Sequence, residues 1–157
     1  MRTYFDYEKL DVYHLELRFI TWVTTLLAKI KQRRPDARIT DVVDQLDRAS
    51  ISALLNTAEG NGRRQRRTRA RFFDDARGST TECAACLDAL VAKGVCSGGE
   101  IDESKQLLLR IASMLTKLIE RFDVSFSSSS SSSLIQEEPE EERFKDEDED
   151  ENEHEQP

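Results

Sequence analysis

The stretch Ile101-Asp-Glu-Ser-Lys-Gln-Leu-Leu-Leu-Arg-Ile-Ala-Ser-Met-Leu-Thr-Lys-Leu-Ile-Glu-Arg-Phe122 decides how this chain folds. Ile101, Leu108, Ile111, Leu115, Leu118 and Phe122 fall in heptad register, which predicts a helix with one apolar stripe. Three further segments upstream read the same way. Phe73, Ala76, Cys83, Leu87 and Leu90 recur at three- and four-residue steps, placing a helix over Thr68–Ala92. Thr40 is an acceptable N-cap for a helix running to Glu59, with Gly60 and Gly62 as its C-cap residues. The remaining segment, Leu10–Ile30, is apolar over about two thirds of its circumference. Asp11, His14, Arg18, Thr21, Thr25 and Lys29 fill the narrow polar strip, and Arg33, Arg34 and Pro35 end it. Gly94 and the pair Gly98-Gly99 are expected in the turn before the last helix. The only prolines are at 35, 139 and 157, so no proline interrupts 36–138. Four helices of about 20 residues joined by short turns predict an all-α, antiparallel up-down-up-down four-helix bundle.

The apolar arc of the first helix exceeds the ~100° stripe that a bundle helix buries against its own core. Leu107 and Met114 widen the stripe of the last helix in the same way. The reading that follows is a second buried face between subunits, that is, a homo-oligomer.

Charge divides the chain in two. Residues 1–126 carry 21 Lys and Arg against 18 Asp and Glu, a net +3; residues 127–157 carry 2 against 13, a net −11, together the −8 of the 157-residue whole. The acidic pI of about 4.9 therefore describes the tail. The expected domains are a bundle over 1–126 and, over 127–157, a seven-serine linker (Ser127–Ser133) with a disordered acidic C-terminal tail. No apolar run reaches ~18 residues, so no membrane span is expected, and the polar start does not read as a signal peptide. Three cysteines do not make a disulfide framework, and they point to a reducing cytoplasm.

Six arginines stand in the ten residues Gly62–Arg71: Arg63, Arg64, Arg66, Arg67, Arg69 and Arg71. The only acids close in sequence are Asp74 and Asp75, so the cluster cannot be neutralised locally. Guanidinium groups match phosphate oxygens and keep their charge, so these six are the candidate nucleic-acid contacts. A second group is Asn56, Glu59 and Arg63 on one helix face, with Glu82 able to face them from the third helix. It is read as a structural polar network of Asn56, Glu59 and Glu82 rather than a catalytic pair, because no histidine or nucleophile accompanies it. Cys83 and Cys86 form a C-x-x-C, but in mid-helix, and are read as small buried thiols. His14 belongs on the surface strip. No phosphate-binding glycine loop, catalytic triad, metal cluster or cofactor signature is present.

Arg48-Ala-Ser-Ile-Ser-Ala-Leu-Leu-Asn-Thr-Ala-Glu-Gly-Asn-Gly-Arg63, followed by Arg71-Phe-Phe-Asp-Asp-Ala-Arg-Gly-Ser-Thr-Thr-Glu82, resembles the signature of the bacterial four-helix-bundle proteins encoded in 23S rRNA intervening sequences. The opening Tyr7-Glu-Lys-Leu-Asp-Val-Tyr13 and the closing Met114-Leu-Thr-Lys-Leu-Ile119 fit the same pattern, so the resemblance spans about 5–122. Asn56, Glu59, Gly60, Gly62, Arg63, Gly78, Ser79 and Glu82 match its motif positions. That family is similar in fold to the accessory variability protein of diversity-generating retroelements. The resemblance implies a ring-like pentamer with a basic surface, no catalysis, and RNA or DNA or a reverse-transcriptase-like protein as partner. This chain departs from the pattern in three places. Glu16 lies in the apolar arc where a small residue is common, Cys83 replaces a leucine, and the serine linker and acidic tail are additions. The expected function is non-enzymatic binding of nucleic-acid backbone through the arginine turn, with a protein-interaction scaffold as the alternative. The tethered tail is expected either to compete with phosphate for those arginines or to act only as a solubiliser.

Overall fold

A computed structural model describes residues 3–33 and 39–123. A short 3-10 helix, Asp6–Lys9, precedes four α-helices: α1 (Asp11–Arg33), α2 (Thr40–Gly62), α3 (Arg66–Ala92) and α4 (Gly98–Phe122). Paired side chains give the helix directions. Glu16 of α1 meets Thr57 of α2. Ser52 and Gln45 of α2 meet Ser79 and Glu82 of α3. Phe73 and Asp88 of α3 meet Phe122 and Lys105 of α4, and Arg33 at the end of α1 meets Glu100 at the start of α4. Each neighbouring pair is therefore antiparallel, and the helices close a four-membered ring of contacts. The expected linker and tail at 127–157, and the Arg34-Pro35 stop signal, lie outside the described residues.

The core follows the predicted stripes. Phe73, Ala76, Cys83, Leu87 and Leu90 of α3 are buried, as are Ile101, Leu108, Ile111 and Leu115 of α4. Val12, Leu15, Phe19, Val23, Leu26 and Ile30 of α1 complete the cluster, and Leu118 and Phe122 pack half-buried at its edge. Burying such side chains contributes roughly 1.5–3 kcal/mol each before ordering entropy is counted. α2 differs, because beyond Leu46 its inward face is small: Ala49, Ser50, Ala53, Thr57 and Gly60. Small residues let α2 approach α3 closely.

Four helix ends differ from expectation, both ends of α2 and the starts of α3 and α4. Gly60 and Gly62 do not cap α2 but lie within its last turn. A Cβ on Gly60 would sit 3.0 Å from Phe72 Cβ and 3.1 Å from the Phe73 ring, so this glycine serves helix–helix approach rather than termination. Thr40 is the first residue of α2, with Ile39 at the cap position. Gly98 and Gly99 begin α4 instead of forming the turn. Ser97 caps that helix, its Oγ accepting from the Glu100 N–H at 3.4 Å while Glu100 Oε2 accepts from the Ser97 N–H at 2.9 Å. That N–H, and then the Arg33 guanidinium, hold the Glu100 carboxyl down at about 2. Gly94 does form the turn, with φ +67°. Among the described helices none is long and apolar enough to cross a membrane.

Candidate nucleic-acid interface

The six arginines gather where α2 ends and α3 begins, but they separate into two sets. Arg63 pairs with Glu59 one turn back, and its guanidinium lies 4.8 Å from the centre of the Phe72 ring. Arg69 donates from Nε to the Gly60 carbonyl at 3.2 Å and from Nη2 to the Asn61 carbonyl at 2.8 Å. It thereby reinforces the Gly60 carbonyl, which also accepts from the Arg63 N–H at 3.2 Å, and satisfies the Asn61 carbonyl at the end of α2. Arg66 donates to the Arg121 carbonyl at 2.5 Å, tying the turn to the end of α4. The Phe122 ring collects the charge, with Arg69, Arg66 and Arg121 at 4.7, 5.6 and 5.7 Å from its centre. Guanidinium groups are drawn to the negative face of such a ring. Arg63, Arg66 and Arg69 thus hold the turn together.

Arg64, Arg67 and Arg71 are different. All three are exposed, and no acidic group pairs with them among the described residues. Asp74 is taken by Arg77 at 2.8 Å. α3 also begins two residues earlier than expected, so Arg66 and Arg67 stand in its first turn with no acid among them. Cations at the positive end of the helix dipole are unfavourable by roughly 0.3–1 kcal/mol each. Gln65, at the N-cap, makes no side-chain bond to the first-turn amides. Free amides, the dipole and three unpaired guanidinium groups all favour an anion at this point. Natural chains keep such breaks of a local rule at functional or strained positions.

The second predicted group does not assemble as expected. Glu59 pairs outward with Arg63. Glu82 accepts from Gln45, 14 residues and so about 21 Å along α2 from Glu59. Asn56 donates to Ser52 Oγ at 3.2 Å, and Ser52 meets Ser79 across the seam at 3.0 Å. The α2–α3 polar links are therefore Asn56–Ser52–Ser79 and, further along, Gln45–Glu82, because antiparallel packing puts Glu82 on the level of Gln45. Glu82 instead borders an open groove of about 740 Å³ between the two helices, with Asp41, Asp44, Asp47 and Arg48. Acids thus line the α2–α3 seam at one end of the bundle and arginines crowd the other.

A buried polar contact that the sequence grouping missed lies between α1 and α2. Thr57 Oγ1 donates to Glu16 Oε1 at 2.7 Å, and both residues are buried. Glu16 Oε2 is buried with no partner among the described residues. Burial, opposed by the Thr57 bond, pushes this carboxyl up to about 8. Its place inside an apolar arc was the available signal. Cys83, Cys86 and Cys96 are buried free thiols, and burial, with Cys86 and Glu82 nearby, pushes Cys83 up to about 12. His14 is exposed and its Nε2 lies 2.7 Å from the Glu8 carbonyl oxygen.

The excess apolar surface is also placed differently from expectation. Leu107 and Met114 pack half-buried on the core. The exposed aliphatic side chains are Leu17, Ile51, Leu55 and Leu109, the last two 60% and 69% exposed. Leu109 borders a groove of about 380 Å³ between α3 and α4, lined by Thr80, Thr81, Ala84, Leu108 and Ala112 among others.

No curated protein and no solved structure matches the chain. A family model, that of the 23S rRNA-intervening sequence protein, matches residues 8–117. That span runs from the 3-10 helix through most of α4 and includes every arginine of the α2–α3 turn. By this match over more than two thirds of its length, and with a four-helix all-α fold to carry it, the chain belongs to the 23S rRNA-intervening sequence protein family.

Proposed function

We propose that this protein binds the phosphate backbone of RNA or DNA, without sequence preference and without catalysing a reaction, at the arginine end of the bundle. The observation that supports it is the set Arg64, Arg67 and Arg71, exposed and without acidic partners at the uncapped start of α3. Arg63, Arg66 and Arg69 shape the site from behind, so the direct contacts narrow from six arginines to three. The functional unit in this reading is a cytoplasmic homo-oligomer, a ring of five by family resemblance, which multiplies a weak site.

A salt titration of binding to a generic RNA hairpin tests the reading. Three phosphate contacts give a log–log slope of roughly −2 to −3. The combined Arg64→Ala, Arg67→Ala and Arg71→Ala variant brings that slope near zero while keeping the wild-type melting temperature. Absence of binding at low salt rules the reading out.

The second reading is a protein-interaction scaffold, an accessory subunit for a reverse-transcriptase-like partner. Leu109, 69% exposed beside the apolar groove between α3 and α4, and separately Leu55, 60% exposed on α2, are the apolar surfaces it would use. The same surfaces serve self-association. Leu55→Glu and Leu109→Glu would then lower the solution mass to that of one chain; an unchanged mass assigns the apolar surface no part in assembly.

A further inference from the structure

At the arginine end the structure also places a pinned aromatic turn. Phe5 is 61% exposed, yet its ring stacks on Tyr7, centroids 5.5 Å apart and planes 7° from parallel. Tyr7 in turn lies 4.9 Å from Tyr13 on α1. The turn is held rather than loose. Glu8 Oε2 accepts from the Tyr4 N–H at 2.6 Å and the Phe5 N–H at 3.3 Å, Lys9 binds Asp6 at 2.7 Å, and the His14 ring lies 2.7 Å from the Glu8 carbonyl oxygen. One face of the Phe5 ring covers Tyr7, and its exposure puts the other face in water.

The location follows from the Glu16–Thr57 contact. Outward from that pair, α1 begins five residues back at Asp11 and α2 ends five residues on at Gly62. The aromatic turn and the arginine turn therefore share one end of the bundle, and the 3-10 helix packs on α2. α2 in turn packs on α3, so with helices in contact about 8–10 Å apart the two turns lie within about 16–20 Å, a span that a few nucleotides of extended chain cover. An exposed aromatic ring at the same end as unpaired guanidinium groups is a combination that suits single strands, in which bases are free to stack; in a duplex they are already stacked on each other.

We propose that the ligand of this end is single-stranded nucleic acid, one unpaired base lying on the open face of Phe5 while Arg64, Arg67 and Arg71 hold flanking phosphates. This rests on the phosphate-binding reading above and narrows it to a class of strand. Both contacts are sequence-tolerant, since every base has a π-face and every residue of the strand a phosphate.

The test compares a single-stranded oligouridine with an RNA duplex of equal length, by fluorescence anisotropy on the full chain at low salt. Wild type is expected to prefer the single strand. Phe5→Ala should weaken single-strand binding roughly five- to 150-fold, the range for losing one stacked base, with duplex binding and the salt slope unchanged. Phe5→Trp should restore it, which a merely structural role for the ring in the turn would not predict. Equal binding of both strands, or a Phe5→Ala variant indistinguishable from wild type, overturns the platform and leaves the phosphate reading standing. Failure of both strands to bind removes the two together.

Discussion

Glu16 offers the sharpest test of the packing. Its side chain is buried between α1 and α2 with 2% exposure, Oε1 accepting from Thr57 and Oε2 without a partner among the described residues. In the unfolded chain the carboxyl titrates near 4.5, and in the bundle burial raises it to about 8. Below pH 4.5 both states are protonated and the residue imposes no pH-linked penalty. Between 4.5 and 8 the unfolded chain releases a proton that the folded chain keeps, so stability falls as pH rises. Each unit is worth up to about 1.4 kcal/mol, which makes the loss about 3 kcal/mol at pH 7 and about 5 kcal/mol above pH 8. Total stabilities are only ~5–15 kcal/mol, so the effect is large. Glu16→Gln keeps the Thr57 acceptor and cannot ionise; Glu16→Met removes the polar group altogether. Urea unfolding by circular dichroism, at fixed protein concentration and at pH 5, 6, 7 and 8, follows the difference between variant and wild type. Both variants should gain on wild type with every step upward in pH. Curves parallel to wild type for both would refute the reasoning, because no buried carboxyl would then be titrating.

Gly60→Ala should destabilise the bundle by about 1–3 kcal/mol, since a new Cβ meets Phe72 and Phe73 at 3.0–3.1 Å; a thermal melt at or above wild type would show that the α2–α3 seam yields. Arg69→Ala and Arg67→Ala should part company. The first loses two carbonyl bonds and the Phe122 contact and costs about 2 kcal/mol of stability, whereas the second leaves the melt alone and weakens nucleic-acid binding. Removing residues 127–157 should tighten that binding at low salt, with the gain shrinking as salt rises. Thirteen acids follow a seven-serine run beyond α4, which ends at a Phe122 that touches Arg66 and Arg69, and a Ser-rich connection of that length would give them a local concentration near millimolar. Equal affinity at every salt concentration would leave the tail only a solubilising part.

The sequence alone was enough for the number of helices, their approximate spans and most of the core. Helical periodicity is local information: Phe73, Leu87, Leu90, Leu108 and Leu115 reveal their burial through spacing in a single segment. The arginine cluster was legible for the same reason, as a density of charge that its neighbouring acids are too few to offset: Glu59 takes Arg63 and Asp74 takes Arg77. Contacts between helices are another matter. Whether Gly60 ends a helix or admits Phe72, whether Glu82 faces Glu59 or Gln45, and which three of six arginines are already engaged all depend on the relative height of helices far apart in sequence. That register is set by how α2's small face slides against α3, a property of two surfaces together and not of either string. The shared end of the bundle that holds both Phe5 and Arg64 likewise exists only once α1 and α2 run antiparallel. Periodicity shows which side of a helix turns inward; only packing decides what it meets there.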